Sequence, residues 1–281
     1  DQMAQEEHAA DEAALTEKYG FDWKDNFAGK LADVEFPPFA GIQINMMPIV
    51  MGDSSSIPEE YRSYAPLVEK CISTRGPGSL SIPGGRELRG AVGFLSVWES
   101  VVSPGESQRR PGLHVEASPD PALEEQTITP FFAGSRALFP MERSPAVKIG
   151  AVGGGVPIHH WGGRELGLYQ ASTVADTCRI WDAIVQKPGP LGDCEELRPV
   201  LTEAEGTLMG ANELWWLTDV TPHESLPVVE ETPRQWFRLV SQDVTVWYEQ
   251  HSTPNPLVPL PTHIHVATHH KFSDDLVKAA K

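Results

Sequence analysis

Cysteine is scarce in this sequence: Cys71, Cys178 and Cys194 are the only three in 281 residues, an odd set with no C-x-x-C pair. That excludes a disulfide framework and a thiolate zinc site, and it fits a reducing, cytoplasmic setting. Long apolar runs are missing as well. No stretch approaches the roughly 18 apolar residues of a membrane helix, and the first residues are acidic rather than a basic segment followed by an apolar one. Basic residues are few, 22 against 39 acidic, which leaves a formal net charge of −17. Such a surface repels phosphate backbones and anionic membranes, so the expected partner is a small molecule, with no nucleic acid and no membrane. Internal repeats and low-complexity linkers are also lacking, and the length and apolar content suit a single domain over 1–281.

Proline and glycine, in contrast, are plentiful, with 25 and 24 residues. From about Phe36 onward they cut the chain into short pieces rich in β-branched and aromatic residues, which predicts a mainly β core with long loops. Ahead of it, residues 1–19 are rich in Ala and Glu and stop at Gly20, the pattern of an acidic surface helix with its usual end signal. We read 1–35 as an N-terminal helical extension and 90–255 as the β core. The clearest strands are 91–102, 112–118, 166–173, 213–220 and a long one over 235–250. Irregular spacing and long connections suit a β-sandwich or barrel whose loops form a site at one open end.

Three segments carry chemistry. In Arg109-Arg110-Pro111-Gly112-Leu113-His114-Val115-Glu116, the His and Glu are two apart, so on a strand they share a face and can offer a nitrogen and an oxygen to one metal. In the second, the apolar stretch from Trp215 ends in a polar turn at Thr221-Pro222-His223, which puts a further imidazole at a strand end. Two nitrogens and one oxygen on one face of a metal form the facial triad, which leaves three positions open and selects Fe(II) chemistry. The third segment is Thr232-Pro233-Arg234-Gln235-Trp236-Phe237-Arg238. Even spacing puts Arg234, Trp236 and Arg238 on one face, and two cations within an apolar strand call for anions that match an Arg fork.

The order H-x-(D/E), distal His, then Arg about ten to fifteen residues on resembles the Fe(II)/2-oxoglutarate-dependent dioxygenases. The Arg-x-x-x-Arg pair is similar to the taurine-dioxygenase-like branch, and Glu in the ligand triplet looks like clavaminate synthase and the asparagine oxygenases. The resemblance implies a double-stranded β-helix, or jelly roll, with flanking helices. It also implies iron held by His114, Glu116 and His223, and a 2-oxoglutarate carboxylate held by Arg234 or Arg238, the other arginine facing an acidic substrate group. The implied outcome is hydroxylation, desaturation or ring closure, since related halogenases lack the carboxylate that Glu116 supplies. Two other classes share the architecture: a cupin-type metal enzyme that uses no 2-oxoglutarate, and a non-catalytic jelly-roll binding module.

Further expectations follow from neighbouring residues. Thr221 and Ser225 flank the distal histidine and could orient it by hydrogen bonding. Trp215, Trp216 and Trp236 could wall a pocket, although strand tryptophans more often fill cores. Asp219 is the substitute carboxylate should Glu116 not serve, and Glu224 is another carboxylate beside His223. The His263-x-His265 pair, with His269-His270 beyond it, is the strongest competing metal site, whereas His159-His160 after Gly153-Gly154-Gly155 reads as a loop.

Overall fold

The computed structural model describes residues 2–23, 27–74, 88–116, 167–240, 244 and 246–268. Along the chain, helix α1 (Gln2–Tyr19) is followed by strands β1 (Phe21–Trp23), β2 (Ala28–Asp33) and β3 (Gln43–Val50), helix α2 (Ala65–Ser73) and β4 (Val92–Val102). The later strands are β5 (Gly167–Ser172), β6 (Cys178–Ile180), β7 (Ala183–Val185), β8 (Thr207–Leu208) and β9 (Glu213–Thr218). The last four are β10 (His223–Ser225), β11 (Thr232–Val240), β12 (Val246–Tyr248) and β13 (His265–Ala267). Six strands form one antiparallel sheet in the order β2-β9-β5-β11-β4-β3. Strands β10-β6-β8 form a second antiparallel sheet, and β1-β7 and β12-β13 form two small pairs, the last of them parallel. The protein is therefore mainly β, compatible with a sandwich of antiparallel sheets.

Strand β11 shows why the layers form. Its odd positions, Phe237 and Leu239, join Leu95, Val97, Tyr169, Ala171, Leu214 and Trp216 in a core that α2 covers through Leu67, Val68, Cys71 and Ile72. Its even positions face the other way, where Val240 packs with Phe94, Leu168 and Leu217 and with Cys178 and Ile180 of β6. Cross-strand neighbours on this second face change along the strand. Val240 lies between Phe94 and Leu168, Arg238 between Ser96 and Gln170, Trp236 between Trp98 and Ser172, and Arg234 opposite Ser100. The space between the sheets is thus apolar at one end and polar at the other, and directly opposed pairs set that gradient.

Sequence expectations meet this structure unevenly. Helix α1 ends at Tyr19, and Gly20 adopts φ +55°, the left-handed conformation that a terminating glycine supplies cheaply. The helical extension expected over 1–35 stops there: Phe21–Trp23 pairs with β7 and Ala28–Asp33 with β9. Pairing drives this switch, because Tyr19 and Phe21 are buried with Trp181 and Val185, and Leu31 packs on the main core. The large sheet also recruits Gln43–Val50, outside the core expected over 90–255. The expected long strand over 235–250 is two strands, β11 and β12.

A buried carboxylate ties the sheet to the segment before β3. Glu99 is 1% exposed, and its oxygens accept from the N–H groups of Ala40 (2.7 Å) and Ile42 (2.9 Å), the Tyr64 hydroxyl (2.6 Å) and Gln235 Nε2 (2.9 Å). Burial works against its charge, yet these hydrogen bonds outweigh it and hold the carboxyl below its usual pKa. Glu99→Ala orphans several buried donors at once, so it should cost on the order of 3 kcal/mol, against about 1 kcal/mol for Tyr64→Phe. Chemical denaturation measures both, and a loss under about 1 kcal/mol for Glu99→Ala would contradict this account.

Candidate metal centre

His114 and His223 are joined through their backbones. Each N–H donates to the other's carbonyl, at 3.0 and 2.9 Å, so two segments far apart in sequence place their imidazoles side by side, with ring centroids 4.6 Å apart. On its other side the His114 segment is held by Val115 N–H to the Gly192 carbonyl (2.9 Å) and Cys194 N–H to the Leu113 carbonyl (3.1 Å). Leu113 and Val115 enter a core cluster with Trp181 and Leu197, which turns the intervening His114 toward the cavity, as strand alternation predicts.

The ring nitrogens are sorted by carbonyls. Nδ1 of His114 lies 2.7 Å from the Gly112 carbonyl and Nδ1 of His223 lies 3.0 Å from that of Thr221. A carbonyl can only accept, so each Nδ1 carries the proton and each Nε2 presents a lone pair. Gly112 reaches its position through φ +83°, a conformation open to glycine that a side chain would strain. Burial pushes the His114 pKa well below its usual value, helped by the His223 ring and Arg110, and burial likewise lowers that of His223. Both imidazoles are therefore neutral at pH 7, the form that binds metal.

Glu116 completes the group. Its Oε1 lies 3.9 Å from His223 Nε2, and one ligand atom from each of the three residues falls within 4.8 Å of the others. Ligands about 2.1 Å from a shared ion lie about 3 Å apart, so small side-chain adjustments close this set on a metal. Two neutral imidazoles with free Nε2 atoms and one carboxylate are a donor set that fits a divalent ion.

Arginines surround the trio. Arg238 is 4% exposed and donates through Nη1 to Glu116 Oε1 at 2.6 Å, while Nη2 lies 3.4 Å from Met46 Sδ. Arg234 is 1% exposed; Nε donates to Ser172 Oγ (3.0 Å), but its buried Nη1 finds no partner among the described residues. Burial pulls the Arg234 pKa down to about 10, which still leaves it charged at neutral pH. Arg109 lies with its guanidinium carbon 4.2 Å from the Trp236 ring centroid and 5.5 Å from that of Trp98. Burial, and then repulsion from Arg238, lower its pKa to about 9. Arg110 donates to the Leu191 carbonyl, and the charge of Asp193 partly offsets its burial. All four line one cavity of about 220 Å³ with the His-Glu-His group, Trp236, Asn45 and Gln170.

A bulge shapes the cavity's far wall. The β3–β4 register shifts between Ile44 and Met47, and Met46 sits at φ +49°. Ladder partners are replaced there by others: Asn45 N–H donates to Thr253 Oγ1 (3.0 Å), Met46 N–H to Ser96 Oγ (2.9 Å), Thr253 N–H to the Asn45 carbonyl (2.7 Å) and Trp247 Nε1 to the Met46 carbonyl (2.9 Å). The distortion brings Asn45 to the cavity wall and the Met46 sulfur to Arg238.

The structure thus brings together all five residues singled out by spacing: His114, Glu116, His223, Arg234 and Arg238. Trp236 joins them, whereas Trp215 and Trp216 belong to the two cores. Arg109 and Arg110 have no role assigned from the sequence; the legible signal is their place in the segment that leads into His114 and Glu116. The side chains of Thr221 and Ser225 do not orient His223 in the expected way. The Thr221 hydroxyl bonds to Thr218 Oγ1 (2.7 Å) and the Phe27 carbonyl (3.2 Å), and Ser225 Oγ reaches the Thr177 carbonyl at 3.5 Å. The backbone carbonyl of Thr221 holds the ring instead. Glu224 alternates to the other face and pairs with Arg179 (3.1 Å) and Arg198 (2.8 Å), and Asp219 is not part of the ligand group. Among the described residues, His263 and His265 join no group of three ligands. Ala117 and Ser118, His159-His160, Gly153–Gly155, His269-His270 and the tail from Phe272 lie outside the described residues.

The two neutral imidazoles make stability depend on pH. Their folded pKa values lie below the unfolded value of about 6.5, so metal-free protein is fully stable above that value and loses stability as pH falls below it. His223→Asn removes one such group and should shrink the stability difference between about pH 7.5 and about pH 5.5 by about 1 kcal/mol. Denaturation in chelator at the two pH values reads this directly, and an unchanged difference would contradict a neutral buried pair.

No protein-family model matches the chain, and no curated protein or solved structure matches it either.

Proposed function

We propose that this chain is a non-haem Fe(II)/2-oxoglutarate-dependent oxygenase acting on a small molecule, built on a double-stranded β-helix. The observation that carries this reading is the unpartnered Nη1 of Arg234, a guanidinium 1% exposed, in the same cavity as the His114, Glu116 and His223 ligand atoms. A cation kept that dry without an anion costs several kcal/mol unless a ligand supplies the charge. A ligand able to meet both features carries a distal carboxylate for Arg234 and a metal-chelating end, which describes 2-oxoglutarate. Two sheets facing each other across a cavity at the polar end of their interlayer suit the jelly roll.

In this reading His114 and His223 would hold the iron through Nε2 while their protonated Nδ1 atoms go on donating to the Gly112 and Thr221 carbonyls. Arg238 can only donate, so its bond keeps Glu116 Oε1 an acceptor and aims the carboxylate toward His223. Because Arg238 is engaged in this way, Arg234 is the cosubstrate anchor. Trp236 and Val115, 7% and 1% exposed, give the cavity an apolar stretch of wall, beside which each charge interaction is stronger than in water. When bound, Fe(II) with 2-oxoglutarate and O₂ supplies oxidation of a substrate C–H bond coupled to formation of succinate and CO₂.

The Arg238–Glu116 bond also favours a second reading, a non-catalytic module in which that pair is structural and the remaining guanidiniums bind an anion without metal. A metal enzyme that uses no 2-oxoglutarate would load iron but leave Arg234 without its carboxylate. Anaerobic titration with Fe(II) and then 2-oxoglutarate, followed by the weak visible band of the chelate and by succinate release in air, separates the three. His114→Ala should abolish stoichiometric iron binding, and normal loading would favour the binding module. Arg234→Ala should weaken 2-oxoglutarate by roughly thirty-fold or more, since truncating one side of a buried charge pair costs about 2–5 kcal/mol. Arg238→Ala should instead weaken the metal, by about 10–100-fold, through the lost orientation of Glu116. If neither arginine variant changes cosubstrate dependence, the 2-oxoglutarate assignment fails.

A further inference from the structure

Two glutamates outside the cavity stand next to the ligand histidines in the chain or in space. Glu195 Oε2 accepts the N–H of Leu113, the residue that leads into His114, at 2.7 Å. Glu224 directly follows His223 on β10, and its side chain is 7% exposed. Both carboxylates are bound by the same guanidinium. Arg198 donates through Nε to Glu195 Oε1 (2.8 Å) and through Nη2 to Glu195 Oε2 (2.9 Å), and that Nη2 also lies 2.8 Å from Glu224 Oε2. One side chain thus joins the backbone just ahead of one imidazole to the residue just after the other.

The arrangement is more specific than an ordinary surface ion pair. Two parallel N–H bonds hold the guanidinium in one orientation on Glu195, and the nearly dry Glu224 carboxylate needs a fixed cation beside it. Glu224 has a second cation, Arg179 at 3.1 Å, but the other end of Arg179 goes to the exposed Glu203, away from the His114 segment. The loop that presents Glu195 is shaped for the task. Leu191 and Gly192 take φ of +58° and +79°, and Gly189 N–H closes the loop on the Asp193 carbonyl at 2.7 Å. Such a conformation is strained for leucine and persists because its surroundings hold it: Arg110 donates to the Leu191 carbonyl and Val115 N–H to that of Gly192.

Resting on the metal centre of the oxygenase reading, we infer that Arg198 is a positioning residue for that centre. By tying Glu224 to Glu195 it limits how far the His114 and His223 segments can part, and so sets the fit of the ligand trio to an ion without touching the cavity. The backbone bonds between the histidines fix their register; the Arg198 tie fixes their separation.

Two measurements test this, the first without metal. In metal-free protein, amide hydrogen exchange over 113–115 and 222–225 reports opening between the two segments. Arg198→Met, which keeps a long side chain but not its charge, should speed exchange at both by about tenfold. Exchange that is unchanged there, or that quickens only at 195–198, overturns the inference. The second is a Co(II) titration followed by its visible d–d bands, at a temperature where near-UV circular dichroism shows every variant folded, so that a loss of global stability alone does not move the affinity. Arg198→Met should weaken Co(II) by about tenfold and shift the bands, and Arg198→Lys, which reaches one carboxylate at a time, should restore part of both. Glu195→Ala, at a half-exposed side chain, should weaken Co(II) similarly, and in the double variant the losses should not multiply because both cut the same tie. Unchanged affinity and bands in Arg198→Met, a loss that Arg198→Lys does not relieve, or losses that multiply would each overturn the inference. A wild type that takes up no Co(II) defeats the metal reading instead, and the exchange measurement then decides the Arg198 tie by itself.

Discussion

Everything in the cavity depends on two backbone hydrogen bonds, those exchanged by His114 and His223 at 3.0 and 2.9 Å. They fix the register between the loop that carries the His-x-Glu triplet and the strand that carries the second imidazole. A slip of one residue there would turn each ring to the opposite face. The clamp is reinforced on both sides, by the 192–194 segment against His114 and by β6 against His223. Behind it, Leu113 and Val115 are buried with residues from the end of α1 and from β1, so the N-terminal part of the chain contributes to the position of His114 without touching the cavity.

Against this clamp stands a strand with two unlike faces. One face of β11 is a hydrocarbon surface built around Phe237 and Leu239; the other runs from Val240 through Arg238 and Trp236 to Arg234. The buried arginines stand opposite small or polar neighbours, Ser96, Ser100, Gln170 and Ser172, which leave room for their side chains, while Gln235 on the reverse face is held by Glu99, Tyr64 and the Pro37 carbonyl.

The grouping of the cavity residues was more legible in the sequence than the architecture. His114 and Glu116 are two apart, and Arg234, Trp236 and Arg238 alternate, so strand geometry alone forecasts their shared faces. That His223 would meet His114 across 109 positions rested on the order of the motifs and not on any local signal. Arg109 has no role legible in the sequence, because a loop residue has no periodicity to read and its placement depends on Trp236 from a distant strand. Thr221 shows a subtler limit: its proximity to His223 was plain, but the atom that serves is its carbonyl, which every residue type possesses. The strand over 28–33 was hidden for a similar reason, since AGKLAD has little strand character by itself and becomes one by pairing with β9.

The bulge at Asn45 and Met46 has a consequence beyond the cavity. Among the described residues, strand β3 is one edge of the six-stranded sheet, and an edge is where a foreign chain can add itself as a further strand. Here the outward donors and acceptors are already consumed: Asn45 is tied to Thr253 through both its N–H and its carbonyl, Pro48 has no N–H to give, and its carbonyl is taken by Asn255 Nδ2 at 2.7 Å. The opposite edge, β2, is interrupted between Lys30 and Ala32 and carries Lys30 in ion pairs with Asp33 and Glu213. Neither border offers an uninterrupted template, so the local distortion that shapes the cavity wall also helps keep neighbouring copies of the sheet from joining into aggregates.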